Sequence, residues 1–509
     1  MSQPSTLCNV LRNHAATQPS ALATIFQGRK SSYSNVDQRS NQIANALISA
    51  DIAPGARIAL LDFNSDLFLE CFFGVVKARG TLVAVNARLA PPEISYIIND
   101  AGAEVLFVGA DHHPVVEQIE AELGSVHTII TMTGVHRRWP TLEAWFDPHT
   151  TEDPQLDEQP DDEIIQLYTS GTTGKPKGIC HTNRRHTLAL AALRATWAKF
   201  TPATVNLITA PTFHIAGFNC LCLTLLGGGT NVLTRKSDPN EILKLLSRYK
   251  VTDTLWVPAV LLAVLSLPAA AETDFSSLKM ISYGASPIPA ALLDRAQRLF
   301  ECDFCHVYGL TENIGVATYL KPEMHDPTLG KLRSVGKPYP GCELRVVDLD
   351  GRDCADGEVG EIILKAAWDM TGYWRLPTAS METIRDGWLH TGDAAYRDQD
   401  GYIYIHDRIK DMIICGGENV YPAEVESALF AHPSVADVAV VGVPDETWGE
   451  VGKALIVLAE GETLNEPILR AFARKRIAGF KVPKYYTAVD TLPRNASGKI
   501  LRRMLKETT

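Results

Sequence analysis

Short apolar runs alternate with amphipathic stretches through the first two thirds of the chain. Residues 57–62 (RIALLD) and 82–85 (LVAV) are compact apolar runs, and 65–77 between them carry apolar positions at helical spacing. Runs of this length read as buried strands, and the longer stretch between them as a helix. The same pattern predicts a strand at 104–108 and a helix at 113–123, then strands at 164–167, 205–209, 231–233, 254–257 and 279–282. Strand–helix alternation of this kind implies βαβ units with right-handed crossovers, a mainly parallel sheet and an α/β fold class.

The pattern changes near Gly336. Short runs at 344–348, 360–364 and 401–405 are separated by Asp-Gly pairs at 350–351, 356–357 and 400–401. Asp-Gly favours tight turns between antiparallel strands, so a small β-barrel-like module is expected over about 336–407. Beyond it a helix is expected at 422–430, strands at 435–443 and 453–458, and a helix at 466–476. The expected organisation is therefore a large N-terminal domain, 1–407, a joint at 408–410, and a smaller α+β C-terminal domain, 411–509.

Composition narrows the function. The chain has 509 residues, 46% of them apolar and 21% charged, the profile of a globular protein of about three domains. Its 48 basic and 59 acidic residues leave a net charge of −11, which argues against a nucleic-acid groove but leaves room for a local nucleotide site. Ten scattered cysteines do not make a disulfide scaffold, and Cys302 and Cys305 form a C-x-x-C without a second pair at zinc-ribbon spacing. The N-terminus has no apolar signal core, so a reducing, cytoplasmic setting is expected. Residues 200–234 and 255–271 lack Asp, Glu, Lys and Arg, but prolines, His214 and glycines interrupt them. Neither supplies the ~18–20 clean apolar residues of a spanning helix, so buried strands and helices are expected, with contact at a membrane surface left open.

The strongest chemical signal is YTSGTTGKPKG over 168–178, following the expected strand at 164–167. Its glycines, hydroxyls and two lysines suit a loop whose N–H groups and positive charge close around phosphate oxygens. It is not a Walker A loop, because two residues rather than four separate Gly171 from Gly174. Other templates fail. Gly284-Ala285-Ser286 lacks the fifth-position glycine of G-x-S-x-G, and no H-E-x-x-H occurs.

Five further motifs follow in order. They are APTFHIAG over 210–217, YGLTE over 308–312, TGD over 391–393, DRIKDMIICGGEN over 407–419 and PRNASGK over 493–499. With the phosphate loop, they make the chain resemble the adenylate-forming acyl-CoA synthetases along nearly its whole length. That resemblance implies an ATP-dependent carboxylic acid–CoA ligase whose C-terminal domain moves about Lys410. It implies ATP, Mg²⁺ and coenzyme A as the small molecules bound.

By the same resemblance, Thr169, Ser170, Gly171, Thr172, Thr173, Gly174, Lys175 and Lys177 would surround the phosphates. Tyr308 would stack on the adenine and Asp393 would hold the ribose, with Gly284, Ala285, Ser286, Gly309, Ile405 and Arg408 also in the cofactor site. Thr172 and Glu312 would hold the magnesium, and Thr311 and Glu312 would be catalytic, with Thr311 also in the cofactor site. Gly416, Gly417 and Lys481 would face CoA, and Lys499 and His214 would act at the reacting carboxylate. The residue types fit these roles: a tyrosine ring stacks on a base, a carboxylate accepts ribose hydroxyls, and hard oxygens suit Mg²⁺.

The expected acyl wall is Phe213, His214, Ile215, Ala216, Phe218, Trp256, Gly284 and Gly309, apolar and without a charge to read a second polar group. Ala216 stands where plant-type coumarate ligases carry an aromatic, which points away from a narrow hydroxycinnamate slot. A medium- or long-chain fatty acid, or a bulky cyclic or aryl-alkanoic acid, fits better. The alternatives are adenylation with delivery to a carrier protein, a luciferase-like reaction, or a catalytically dead nucleotide-binding module.

Overall fold

The structure, a computed structural model, describes residues 6–169, 175–286, 288–408, 411–415, 418–495 and 499–507. Two large sheets dominate the N-terminal part. The first has six strands in the order Thr128–Thr131, Ala103–Val108, Arg57–Leu61, Thr81–Ala84, Glu163–Thr169 and Lys177–Thr182. All pair in parallel except the last two, which are antiparallel and flank the segment 170–174, with Thr169 opposite Lys177.

The second sheet has nine strands. Its centre is the parallel set Asp303–Tyr308, Met280–Gly284, Asp253–Trp256, Val205–Ile208, Thr230–Leu233 and Leu22–Phe26. Parallel strands are covered on both faces, which explains their continuous apolar runs. Helix Leu67–Lys77 is buried along its whole length. It includes Lys77, whose ammonium lies 2.6 Å from both Asp37 and Asn41, so the buried charge is paired.

The β module is an antiparallel sheet of Cys342–Val347, Gly360–Ala366, Trp388–Arg397, Ile384–Arg385 and Ile403–Arg408. The smaller C-terminal domain has its own core around Val425, Leu429, Val440 and Ile456. Helices Pro422–Phe430 and Glu466–Arg474 accompany a sheet whose long hairpin pairs Val435–Asp445 with Gly449–Leu458.

The uncharged stretch 200–234 resolves into strand Val205–Ile208, helix Ile215–Gly227 and strand Thr230–Leu233. Among the described residues no helix is long and apolar enough to cross a membrane.

Candidate functional site

The carboxyl ends of the central strands open into one cleft of about 2260 Å³. Parallel α/β sheets place their ligand sites at such ends, where successive loops diverge. The opposite wall of the cleft comes from the C-terminal domain, through Met412, Tyr421, Ala423 and the segment around Lys499.

Tyr308 ends strand Asp303–Tyr308, and Asp393 lies within strand Trp388–Arg397 of the β module. The Tyr308 hydroxyl donates to Asp393 Oδ2 at 2.6 Å, so two different sheets meet at this bond. The backbone around Asp393 is held as well. Its N–H donates to Thr391 Oγ1 at 3.1 Å, and the Gly392 N–H donates to Glu361 Oε1 at 2.9 Å. Ile405 lines the cleft, and Arg408 pairs by backbone register with Asp393.

Gly284 and Gly309 are glycines for a steric reason. A Cβ at Gly284 would come within 2.1 Å of the Val307 carbonyl oxygen, and one at Gly309 within 2.3 Å of Gly315. Ala285, next along the chain, adopts φ +66°, a strained conformation for a residue with a Cβ, beside the cleft that Ala285 and Ser286 line.

Glu312 follows Thr311 in the short 3-10 turn Thr311–Asn313, and both line the cleft. The Tyr373 hydroxyl donates to Glu312 Oε1 at 2.8 Å. Thr169 and Lys177, on either side of the segment 170–174, line the cleft. Lys175 stands outside it, with its ammonium 5.2 Å from the centre of the Tyr96 ring. Lys499 lines the cleft from the C-terminal side. Its N–H donates to Asn495 Oδ1 at 2.8 Å, and its carbonyl accepts from the Asn495 N–H at 2.7 Å.

His214 precedes helix Ile215–Gly227 on the cleft wall. Burial, aided by the charge of Arg88, lowers its pKa to about 4, so it is neutral at physiological pH. Lys481 does not line the cleft and is ion-paired to Glu424 at 2.8 Å. Ser170, Gly171, Thr172, Thr173, Gly174, Lys410, Gly416 and Gly417 lie outside the described residues.

The acyl side differs from the sequence expectation. His214, Ile215, Ala216 and Gly309 line the cleft. Trp256 instead packs fully buried against Phe300, at 5.4 Å between ring centres. Phe218 is also fully buried, 4.9 Å from Phe72, and Phe213 joins the same core.

The cleft wall uses residues that the sequence reading left out. Asn219, Cys220 and Leu223 extend the face of helix Ile215–Gly227 that begins at Ile215. Trp197 lines the cleft beside them, its indole N–H donating to the Tyr339 hydroxyl at 2.8 Å. Helical spacing within an apolar segment was the available signal for the first three. Arg88 and Lys236 bring positive charge to the cleft lining, and nothing in their local sequence marks them.

A metal fits this donor set. Mg²⁺ is commonly held by one carboxylate together with substrate phosphates, and Glu312 supplies a hard oxygen in the cleft that Thr169 and Lys177 also line. Among the described residues no cluster of three or more His, Cys, Asp or Glu could hold a metal alone.

Comparison with known proteins agrees with this arrangement. The AMP-binding enzyme family profile matches residues 11–374, and the AMP-binding enzyme C-terminal domain profile matches 424–499. The chain is 40% identical to a fatty acid–[acyl-carrier-protein] ligase of Streptomyces coeruleorubidus, covering 99% of this chain and 96% of that one. It is 33% identical to a long-chain-fatty-acid–CoA ligase of Mycobacterium tuberculosis (strain ATCC 25618 / H37Rv), covering 98% and 97% of the two chains. Its fold superposes on a crystal structure of an anthranilate CoA ligase in complex with anthranoyl-AMP, with TM-score 0.93, 29% identity, and 100% and 98% of the two chains covered. The chain therefore belongs to the adenylate-forming AMP-binding enzymes and is an AMP-forming acid–thiol ligase.

Proposed function

We propose that this ligase activates a medium- or long-chain fatty acid, or a bulky cyclic or aryl-alkanoic acid, and passes the acyl group to coenzyme A. The observation that carries the reading is the apolar part of the cleft lining, which includes Ile215, Ala216, Cys220, Leu223, Leu255 and Val260, in the same cleft as Tyr308, Glu312 and Asp393.

A carboxylate is a poor electrophile, because its charge repels nucleophiles and oxide is a hopeless leaving group. The acid carboxylate would attack the α-phosphorus of ATP in line, forming acyl-AMP and expelling pyrophosphate. Positioning and neutralisation of charge dominate such a step. Lys177, Lys499 and the phosphate loop would supply positive charge, and Asp393 and Tyr308 would hold the nucleoside. A divalent cation held by Glu312, with Thr172 as a further ligand, would add charge neutralisation at the phosphates. The neutral His214 would line the carboxylate end without adding a competing charge. The CoA thiolate would then attack the acyl carbon, with AMP leaving as a stable phosphate monoester. The C-terminal domain would move about Lys410 between these steps, bringing Gly416, Gly417 and Lys481 toward CoA.

A second reading replaces CoA with the phosphopantetheine thiol of a carrier protein. It is favoured by the 40% identity to an acyl-carrier-protein ligase over nearly the whole chain. Pyrophosphate release across a panel of fatty, cyclic and aryl-alkanoic acids tests the substrate class, and short acetate-like acids should give the lowest kcat/KM. Offering CoA and a phosphopantetheinylated carrier protein to the preformed adenylate distinguishes the acceptors. A thioester formed only with the carrier would overturn the first reading in favour of the second.

A further inference from the structure

Tyr373 joins the two halves of the phosphate site. Its hydroxyl donates to Glu312 Oε1 at 2.8 Å, and its ring carries the Lys177 ammonium 4.0 Å from the ring centre. The side chain is 8% exposed. Its backbone is stitched to both neighbours. Residue 373 bridges to Ile179 in the strand that begins at Lys177, and the Trp374 N–H donates to the Gly178 carbonyl at 2.8 Å. On the other side the Met370 N–H donates to the Glu312 carbonyl at 2.7 Å. Gly372, at φ +152°, forms the bend that delivers the ring and lies against Ser380, where a Cβ would come within 2.8 Å of Oγ.

We propose that Tyr373 is a positioning residue that fixes the Glu312 carboxylate for a divalent cation while keeping the Lys177 charge available to phosphate. The proposal rests on the reading of Glu312 as the metal carboxylate. A carboxylate with one oxygen held by a hydroxyl has lost its rotational freedom and offers the other oxygen in a set direction, as hydrogen-bonded metal ligands do. An aromatic face attracts an ammonium without cancelling its charge, whereas a carboxylate partner would neutralise it. Among the described residues neither Lys177 nor Glu312 forms an ion pair, so the tyrosine accommodates both charges without letting either be spent on the other. A tyrosine that only filled space would need neither contact.

The test measures binding of Mn²⁺ with α,β-methylene-ATP to the full chain, from the resonance of free Mn²⁺, alongside metal-free nucleotide binding. Tyr373→Phe should weaken the metal-dependent part about tenfold, the size expected for a lost hydrogen bond to a charged group, and leave metal-free binding unchanged. Raised Mg²⁺ should restore its pyrophosphate exchange, and raised acid should not. Tyr373→Leu should also weaken metal-free nucleotide binding, because the platform under Lys177 is lost. In the Glu312→Gln background, Tyr373→Phe should cost nothing further, which a merely structural role would not give. Wild-type metal affinity in Tyr373→Phe, or an equal loss in both backgrounds, overturns the proposal while leaving Glu312 as metal carboxylate. A wild-type chain that binds the nucleotide equally well with and without metal overturns that reading and the proposal with it.

Discussion

Lys499 lines the cleft from the C-terminal domain and is hydrogen-bonded to Asn495 through both its N–H and its carbonyl. A single ammonium stabilising the crowded phosphorus centre resembles a lost transition-state donor when removed. Lys499→Ala should therefore lower ATP–pyrophosphate exchange by ~10²–10³-fold, about 3–4 kcal/mol. Acyl transfer from supplied acyl-AMP to CoA should stay near the wild-type rate, and equal losses in both assays would remove the assignment. That Thr169, Lys177, Tyr308, Glu312, Asp393 and Lys499 line one cleft was legible, because each belongs to a motif rich in glycine, hydroxyl or charged residues. The acyl wall was not, since apolar neighbours look alike in sequence. Leu255 and Trp256 are adjacent on one strand, so their side chains alternate between faces; Leu255 lines the cleft and Trp256 the core. Phe218 fails for the helical version of the same reason. Its helix is apolar all round, so no polar stripe marks which side faces the cavity.

At the scale of elements, strand Lys177–Thr182 and helix Asn183–Ala195 bury His181 and His186 completely. Burial lowers both pKa values to about 3, and the His186 ring lies 4.8 Å from that of Phe218. Both rings are neutral in the fold, while in the unfolded chain they take protons below about pH 6.5. The unfolded state then binds more protons, so stability falls as pH drops from about 6.5 toward 3. By pH 5 the loss should be about 2 kcal/mol per histidine. Urea midpoints at pH 7.5 and 5.0 measure it, and His186→Phe should flatten the dependence. An unchanged slope in that variant would place the effect elsewhere. Most strands in this region were readable to within two residues, because buried parallel strands are short, apolar and bounded by turns. Their order was not. Leu22–Phe26 pairs in parallel with Thr230–Leu233, a partnership across some two hundred residues that no local pattern announces.

Across the whole molecule, the β module and the C-terminal domain are linked by a cluster of charges. Asp407 Oδ2 accepts from the Ala423 N–H at 3.1 Å and lies 3.6 Å from Arg502, which is also paired to Glu426 at 2.7 Å. These contacts link the β module to the C-terminal domain in the arrangement in which Lys499 lines the cleft. If the two half-reactions use different arrangements, releasing this one should unbalance them. Asp407→Ala should slow single-turnover pyrophosphate release several-fold and leave acyl transfer from preformed acyl-AMP equal or faster. Parallel losses in both would mean that Asp407 supports the fold and not the arrangement.

That the cleft borrows its far wall from a separate domain has a bearing on wastage. An acyl adenylate is a mixed anhydride that water destroys, and here it would be shielded by a wall that, in the proposed cycle, withdraws before the thiol enters. If the wall withdraws, every turnover would contain an interval in which the intermediate is guarded by the acyl group against the apolar lining rather than by closure. Acids that cover the apolar lining should keep water away from the anhydride and be converted with little loss. Short acids should leak to free acid and AMP, consuming ATP in a futile cycle. The ratio of AMP released to thioester formed would then rank acids by how well they plug the site, independently of how tightly they bind.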